Sequence, residues 1–241
     1  MIKGLVASFE SFATMDGGGI RFAVFMGGCP LRCAYCHNPD FQGSKGTYFT
    51  PEELADKIKR YKPYFKSGGG ATFTGGEPII QAEFLIEVVK LLNREGVKSA
   101  IDTAAPILNE NAKELYSVSD LVVADLKFPT REGYVKYCGS DAFGTVIRTL
   151  DFLSERNIKT LLRTVIVPGI NDTFADIDSY YDLVKNYKNL TAYELKPFHT
   201  LGFSKYEKLG LKNPLAGKEA LPAERLKELQ IHLDFKLKSL S

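Results

Sequence analysis

The chain reads as an α/β protein built as an open, partial (β/α)6 barrel, and three observations lead to that class. Apolar, β-rich runs of strand length alternate with amphipathic stretches almost to the end of the 241 residues, which is the pattern of βα units sharing one parallel sheet. Six such units are present, too few for the closed eight-stranded barrel. No Gly-x-Gly-x-x-Gly follows the first of these strands, so nothing signals a doubly wound dinucleotide fold.

The first expected strand, Arg21 to Met26, is apolar after its first residue, as a strand covered on both faces must be. A helix is expected over Pro51 to Lys62, because Thr50 suits the N-cap, Pro51 the first turn and Glu53 the reciprocal capping position. The second strand, Ala71 to Thr74, follows the pliable lead-in Gly68-Gly69-Gly70. Its helix, Ala82 to Glu95, stops at Gly96, a residue suited to a left-handed C-terminal turn. The third and fourth strands, Lys98 to Thr103 and Leu121 to Leu126, precede helices at Asn109 to Tyr116 and Phe143 to Arg156. The fifth, Thr160 to Val167, leads to Phe174 to Asn186, and the sixth, Ala192 to Lys196, leads to a last helix at Pro222 to Lys238. No repeat, low-complexity run or Pro/Gly/Ser linker divides the chain, so one domain over residues 1–241 is expected.

A hydrophobic content of 44% with 25% charged residues is that of a globular protein with ample material for a core. No apolar run approaches the length of a membrane span, and the start, Met1-Ile2-Lys3-Gly4, lacks the sections of a secretory signal. The cytoplasm is the expected compartment and a monomer the expected state. Basic and acidic residues nearly balance, 31 against 29, so no nucleic-acid partner is expected and any basic docking face must be local.

Three of the four cysteines fall in Cys29-Pro30-Leu31-Arg32-Cys33-Ala34-Tyr35-Cys36, directly after the first strand. In parallel α/β folds that position is the ligand-binding end of the sheet. Three thiolates on one short loop suit one face of an iron–sulfur cluster, and since a four-iron cluster usually takes four cysteines, three leave one iron open to a small molecule. The alternatives are a Cys3His zinc site through His37, for which adjacent Cys36 and His37 are awkward, and unrelated free thiols. Cys138 stands apart as an ordinary buried thiol.

Other strands also end in polar residues. Thr74-Gly75-Gly76-Glu77-Pro78 pairs glycines that allow close backbone approach, or merely a turn, with a charge. Asp102-Thr103, Asp125-Leu126-Lys127 and His199 follow the same rule at three further strands, and Arg163 is a cation inside the fifth. Each alone suits a structural salt bridge or turn; their coincidence at one end of one sheet favours a site. His232, on the terminal amphipathic helix, reads as a surface residue. Asp16-Gly17-Gly18-Gly19-Ile20-Arg21 is pliable and suits an extended peptide backbone or a simple loop.

Together these residues resemble the radical S-adenosylmethionine (SAM) superfamily, whose mark is Cys-x-x-x-Cys-x-aromatic-Cys, here Cys29, Cys33, Tyr35 and Cys36. Within it the chain is similar to the glycyl-radical-enzyme activases, above all those acting on pyruvate formate-lyase. The resemblance rests on Ser8-Phe9-Glu10, Asp16 to Asn38, Thr74 to Pro78, Asp125 to Lys127, Val167-Pro168-Gly169 and Pro197-Phe198-His199. It implies a 4Fe-4S cluster on Cys29, Cys33 and Cys36, and reductive cleavage of S-adenosylmethionine to a deoxyadenosyl radical that takes hydrogen from a glycine of pyruvate formate-lyase. A flavodoxin or ferredoxin would supply the electron. It further implies cofactor contacts from Tyr35, Cys36, His37, Gly76, Asp125, Leu126, Lys127 and His199. A monovalent cation would sit at Asp102, Thr103, Asp125 and the Val123 carbonyl. Asp16 would hold the substrate loop, and Arg163 would be a cation on the cofactor or substrate side. Two positions depart from the family: Gly18 replaces a usual proline, and Ala104-Ala105 follows Thr103 where Asn-Gly is usual. A non-catalytic metal-binding protein, or an activase for another glycyl radical enzyme, remains the alternative. The absence of a second cysteine cluster favours the pyruvate formate-lyase type.

Overall fold

The structure is a computed structural model that describes residues 2–14, 18–43, 45–66 and 68–238. Eight strands form one open sheet: β1 (Gly4–Ala13), β2 (Arg21–Met26), β3 (Thr47–Phe49), β4 (Gly70–Gly75), β5 (Ser99–Thr103), β6 (Leu121–Asp125), β7 (Thr160–Ile166) and β8 (Leu190–Pro197). Their spatial order is β3-β1-β2-β4-β5-β6-β7-β8, so β3 and β8 end the sheet without closing it. From β2 to β8 all neighbours are parallel. These are the six strands expected from sequence. β1 and β3 are additions, antiparallel at one edge.

The helices follow the expected order: α1 (Pro51–Lys59), α2 (Ala82–Arg94), α3 (Glu110–Val118), a short α4 (Arg131–Gly133) continuing into a wider turn over Tyr134–Cys138, α5 (Phe143–Glu155), α6 (Phe174–Val184), a short α7 (Phe203–Lys208) and α8 (Ala223–Lys238). Thr50 and Glu53 form the reciprocal cap of α1. Gly96 takes the left-handed conformation, φ 67°, one residue beyond the C-cap of α2. The turn at 131–138 and α7 were not anticipated, because neither is long enough to show a helical period.

Period-two alternation divides each parallel strand. One set of side chains, including Val24, Phe73, Ile101, Val122 and Leu162, meets Leu85, Val89, Leu115, Leu150 and Ile177 of the helices in one core. Burying each such side chain contributes about 1.5–3 kcal/mol, and this layer holds the barrel wall. The other set mixes apolar side chains with polar ones that bond across the concave face. Arg21 Nε donates to Thr72 Oγ1 at 2.5 Å, Thr74 Oγ1 donates to Asp102 Oδ2 at 3.0 Å, and Arg163 pairs with Asp102 at 3.7 Å and Glu194 at 3.3 Å. The sheet therefore presents a wet, charged inner surface leading to the carboxyl ends of its strands.

Candidate active site

The chain leaves β2 at Met26 and turns at once, Gly28 donating to Phe41 O at 2.8 Å, so that residues 29–38 fold over the carboxyl end of the sheet. Leu31 is almost fully buried and anchors the loop in the core. Arg32 N donates to Cys138 O at 2.8 Å and Ala34 N to Tyr137 O at 2.7 Å, fastening the loop to the turn after α4. Cys29, Cys33 and Cys36 then line one cleft of about 210 Å³ with Tyr35, His37, Gly76, Asp102, Thr103, Asp125 and Lys127. Four segments distant in sequence, the cysteine loop and the ends of β4, β5 and β6, are thus brought to one place.

Burial dominates the electrostatics. It pushes the Cys29 thiol up to about 12, with only partial relief from the Leu31 amide, and it also raises Cys36. Cys33 is held up first by a hydrogen bond with Cys138 and then by burial. Thiols so placed ionise only against compensating positive charge, which is what iron supplies. Among the described residues, no three His, Cys, Asp or Glu side chains converge on a single metal ion, whereas three cysteines around one cleft are the donor set of a cluster with one iron left open. The residues present therefore fit a 4Fe-4S cluster and do not form the Cys3His zinc site.

Opposite the thiols, β4 ends in the glycine pair. Gly75 has φ 106°, and a Cβ on Gly76 would stand 2.1 Å from Gly28 O, so only glycine allows this approach. Gly76 N donates to Met26 O at 2.9 Å, which leaves its carbonyl as the group it can offer an ammonium. Glu77 turns away from the cleft into the protein. It is 1% exposed and accepts from Thr103 Oγ1 at 2.5 Å, Ala104 N at 2.8 Å and Ile79 N at 3.1 Å. Burial raises its pKa to about 7 against the pull of those donors.

Lys127 Nζ lies 2.8 Å from Asp125 Oδ2. Burial works against its charge, but Asp125 and the thiol charges outweigh burial and hold its pKa well above the usual lysine value. His37 stacks edge-on with His199, ring centres 4.5 Å apart, and burial, then the charges of His199 and Lys205, lower its pKa.

Several expected site residues sit elsewhere. Leu126 is fully buried in the core, its N–H donating to Arg163 O and its carbonyl accepting from Thr164 Oγ1; it does not line the cleft, because its side chain alternates to the helix-covered face. Val123 is likewise fully buried within β6. Asp102 is engaged by Thr74 and Arg163, Asp125 by Lys127, and Thr103 by Glu77, and all three line the cleft. Arg163 lies below the cleft and lines a second hollow of about 490 Å³ with Thr14, Gly18, Glu194 and Lys196. Asp16 lies outside the described residues. Ala105 has φ 52°, which explains why glycine is usual there: a left-handed backbone costs a Cβ-bearing residue roughly 1–2 kcal/mol.

The sequence reading missed Thr74 and Asn38 in the cleft wall. Thr74 carried the same signal as Asp102, a polar residue at a strand's carboxyl end, and Asn38 followed the cysteine loop directly. Tyr206, whose hydroxyl donates to Cys36 O at 3.1 Å, carried none.

Comparison with known proteins agrees with this geometry. A model of the radical SAM superfamily matches residues 23–184. The pyruvate formate-lyase-activating enzyme of Clostridium pasteurianum is 41% identical over 237 residues, covering 97% of this chain and 98% of that one. Its counterpart from Staphylococcus epidermidis is 35% identical over 244 residues, covering 98% and 97%. Among solved structures, Streptococcus suis SuiB bound to precursor peptide SuiA aligns with a TM-score of 0.69 at 14% identity, over 88% of this chain and 44% of that longer one. A radical SAM methyltransferase from Sphaerobacter thermophilus aligns at 0.67 and 16% identity, over 90% and 64%. The solved structures show the partial-barrel fold, and the near-full-length relatives narrow it further: the chain belongs to the radical SAM superfamily and, within it, to the pyruvate formate-lyase-activating enzyme family.

Proposed function

We propose that this chain activates pyruvate formate-lyase by removing a hydrogen atom from one of its glycines, leaving a glycyl radical. The observation that carries the reading is the convergence of Cys29, Cys33 and Cys36 with the Gly75-Gly76 turn on one cleft at the carboxyl ends of the parallel strands. A 4Fe-4S cluster with S-adenosylmethionine would supply one-electron cleavage and, through it, hydrogen abstraction. The protein's own residues bind and orient. The three thiolates would hold the cluster, and the Gly76 carbonyl would be available to the cofactor's ammonium. Asp125, Lys127 and the His37–His199 pair would supply the remaining polar contacts, with Tyr35 in the cleft wall. A monovalent cation at Asp102, Thr103, Asp125 and the Val123 carbonyl would have to draw the two carboxylates away from Arg163 and Lys127. Asp16, by its likeness to the family, and Arg163, which lines the second hollow with Thr14, Gly18, Glu194 and Lys196, are assigned in this reading to the substrate side.

A flavodoxin or ferredoxin is the electron donor in this reading, and the chain acts in the cytoplasm as a monomer with one domain over residues 1–241. Among the described residues no helix is long and apolar enough to cross a membrane. The test is electron paramagnetic resonance of the anaerobically reconstituted, reduced protein mixed with S-adenosylmethionine and pyruvate formate-lyase. A glycyl radical doublet is expected. A cluster signal that responds to the cofactor without a doublet would reject pyruvate formate-lyase as the partner, and no iron-based signal at all would reject the enzyme class.

A further inference from the structure

Lys127 lines the cleft, yet the sheet stops before it. The ladders of β6 end at Ala124 against β5 and at Asp125 against β7, and Leu126 still finds Arg163 O for its N–H and Thr164 Oγ1 for its carbonyl. The Lys127 peptide groups are taken by two tyrosine side chains instead. Its N–H donates to Tyr134 Oη at 3.1 Å, and its carbonyl accepts from Tyr180 Oη at 3.0 Å. Both tyrosines are fully buried, and they come from separate elements, the turn after α4 and the body of α6. Each is anchored in turn. Tyr180 Oη accepts from Asn171 Nδ2 at 2.9 Å, and Asn171 also holds the exit of β7 through Val167 N and Val165 O. The turn that carries Tyr134 offers its last two carbonyls, Tyr137 and Cys138, to Ala34 N and Arg32 N on either side of Cys33. Phe128, next to Lys127, stacks on Tyr137 with ring centres 4.9 Å apart. One connected network therefore fixes the Lys127 backbone with respect to both β7 and the cysteine loop.

We propose that Tyr134 and Tyr180 are positioning residues for the cofactor: their hydroxyls clamp the Lys127 peptide from both sides and so set where the Lys127 amine stands relative to the three cysteines. Neither tyrosine lines the cleft, so both act through Lys127. The stem of a lysine is flexible, and its reach is defined only if the backbone that carries it is held. Lys127 Nζ pairs with Asp125 Oδ2 at 2.8 Å in the cleft wall, and that geometry follows from the clamp below it. A buried N–H or carbonyl left without a partner is costly, so removing either hydroxyl drives the peptide to turn toward another partner and carries the amine with it. A contact group that drifts by an ångström loses much of its hold on the ligand. Phenylalanine at either position keeps the ring in the core and removes only the bond. The inference rests on the reading of Lys127 as a cofactor contact.

The test uses the whole chain with its cluster reconstituted without air, and reads S-adenosylmethionine binding by equilibrium dialysis beside iron content and thermal unfolding. Tyr134→Phe and Tyr180→Phe should each bind the cofactor about tenfold more weakly, the worth of one buried hydrogen bond, with iron content unchanged. Leu153→Ala opens a cavity under α5, away from the cleft; it should lower the unfolding temperature and leave the affinity as it was. Lys127→Met should weaken binding at least as much as the tyrosine variants, and adding Tyr134→Phe to it should cost no more than about twofold further, because the clamp then has nothing left to position. Unchanged affinity in both tyrosine variants would overturn the proposal. So would an equal loss in Leu153→Ala, a full further loss on top of Lys127→Met, or iron lost in step with affinity. Two variants on opposite sides of one peptide keep the test decisive if one of them fails to fold. A loss confined to Lys127→Met rejects the clamp and leaves Lys127 a cofactor contact, whereas wild-type affinity in Lys127→Met removes that contact and the proposal with it.

Discussion

Glu77 shows how a single side chain is shared between stability and the site. Its carboxyl is buried, yet three donors fix it to the ends of β5 and to the turn after Gly76. Burial raises its folded-state pKa from 4.5 to about 7. The folded chain therefore holds a proton that the unfolded chain gives up between those values, and stability falls as pH rises through that window. The loss from this one group is about 3 kcal/mol, complete above the folded pKa. Glu77→Gln removes the titration and also places an amide N–H₂ among three donors, which costs about 1–3 kcal/mol. Chemical unfolding of wild type and variant should show the wild-type advantage shrinking between pH 5 and pH 8. An advantage independent of pH would mean that Glu77 is ionised throughout.

At the scale of elements, the glycine turn after β4 is where the backbone leaves least freedom. A methyl on Gly76 would meet Gly28 O at 2.1 Å and Phe41 O at 2.9 Å, and both neighbours are backbone. Gly76→Ala must therefore push the cluster loop away from β4, costing about 1–3 kcal/mol. It should also abolish measurable S-adenosylmethionine binding to the reconstituted protein by equilibrium dialysis, even where thermal unfolding shows a folded chain; unchanged binding would refute the close approach. The same contrast between forced and free backbone explains what was legible in advance. The parallel strands are covered on both faces, so they spell themselves out as apolar runs, and β2 matches its expected limits, Arg21–Met26. β1 is half exposed, is irregular at Val6/Ser8 and Glu10/Ala13, and carries Phe12 at φ 64°, so its alternation is broken where a reader would look for it. The cysteine loop and the strand-end acids of the site were legible because chemistry restricts residue type there. Which side a residue faces was not, as Leu126 shows: it lies between Asp125 and Lys127 but turns to the opposite face.

The whole molecule gives the cluster loop two sides, and only one belongs to the cofactor. On the outer side, Arg32, Cys33, Gln42, Tyr206, Leu211, Lys212 and Pro214 line a hollow of about 160 Å³. Arg32 and Lys212 are exposed, and Leu211 is 47% exposed, so two cations flank a small apolar centre beside a cysteine that also lines the cleft. With the chain as a whole nearly neutral at +2, such a patch is local, and exposed cations of this kind attract acidic surfaces. If the electron donor docks here, charge reversal at Lys212 should slow cluster reduction by reduced flavodoxin about tenfold at low ionic strength, equivalent to about 1.4 kcal/mol. The deficit should shrink as salt rises to about 0.5 M, because exposed charges are then screened within a few ångströms. Reduction by dithionite, a small reductant with no need of a docking face, should be unchanged in the same variant. An equal loss with both reductants would place the effect on the cluster loop itself, and no loss with flavodoxin would move the electron's entry to another face.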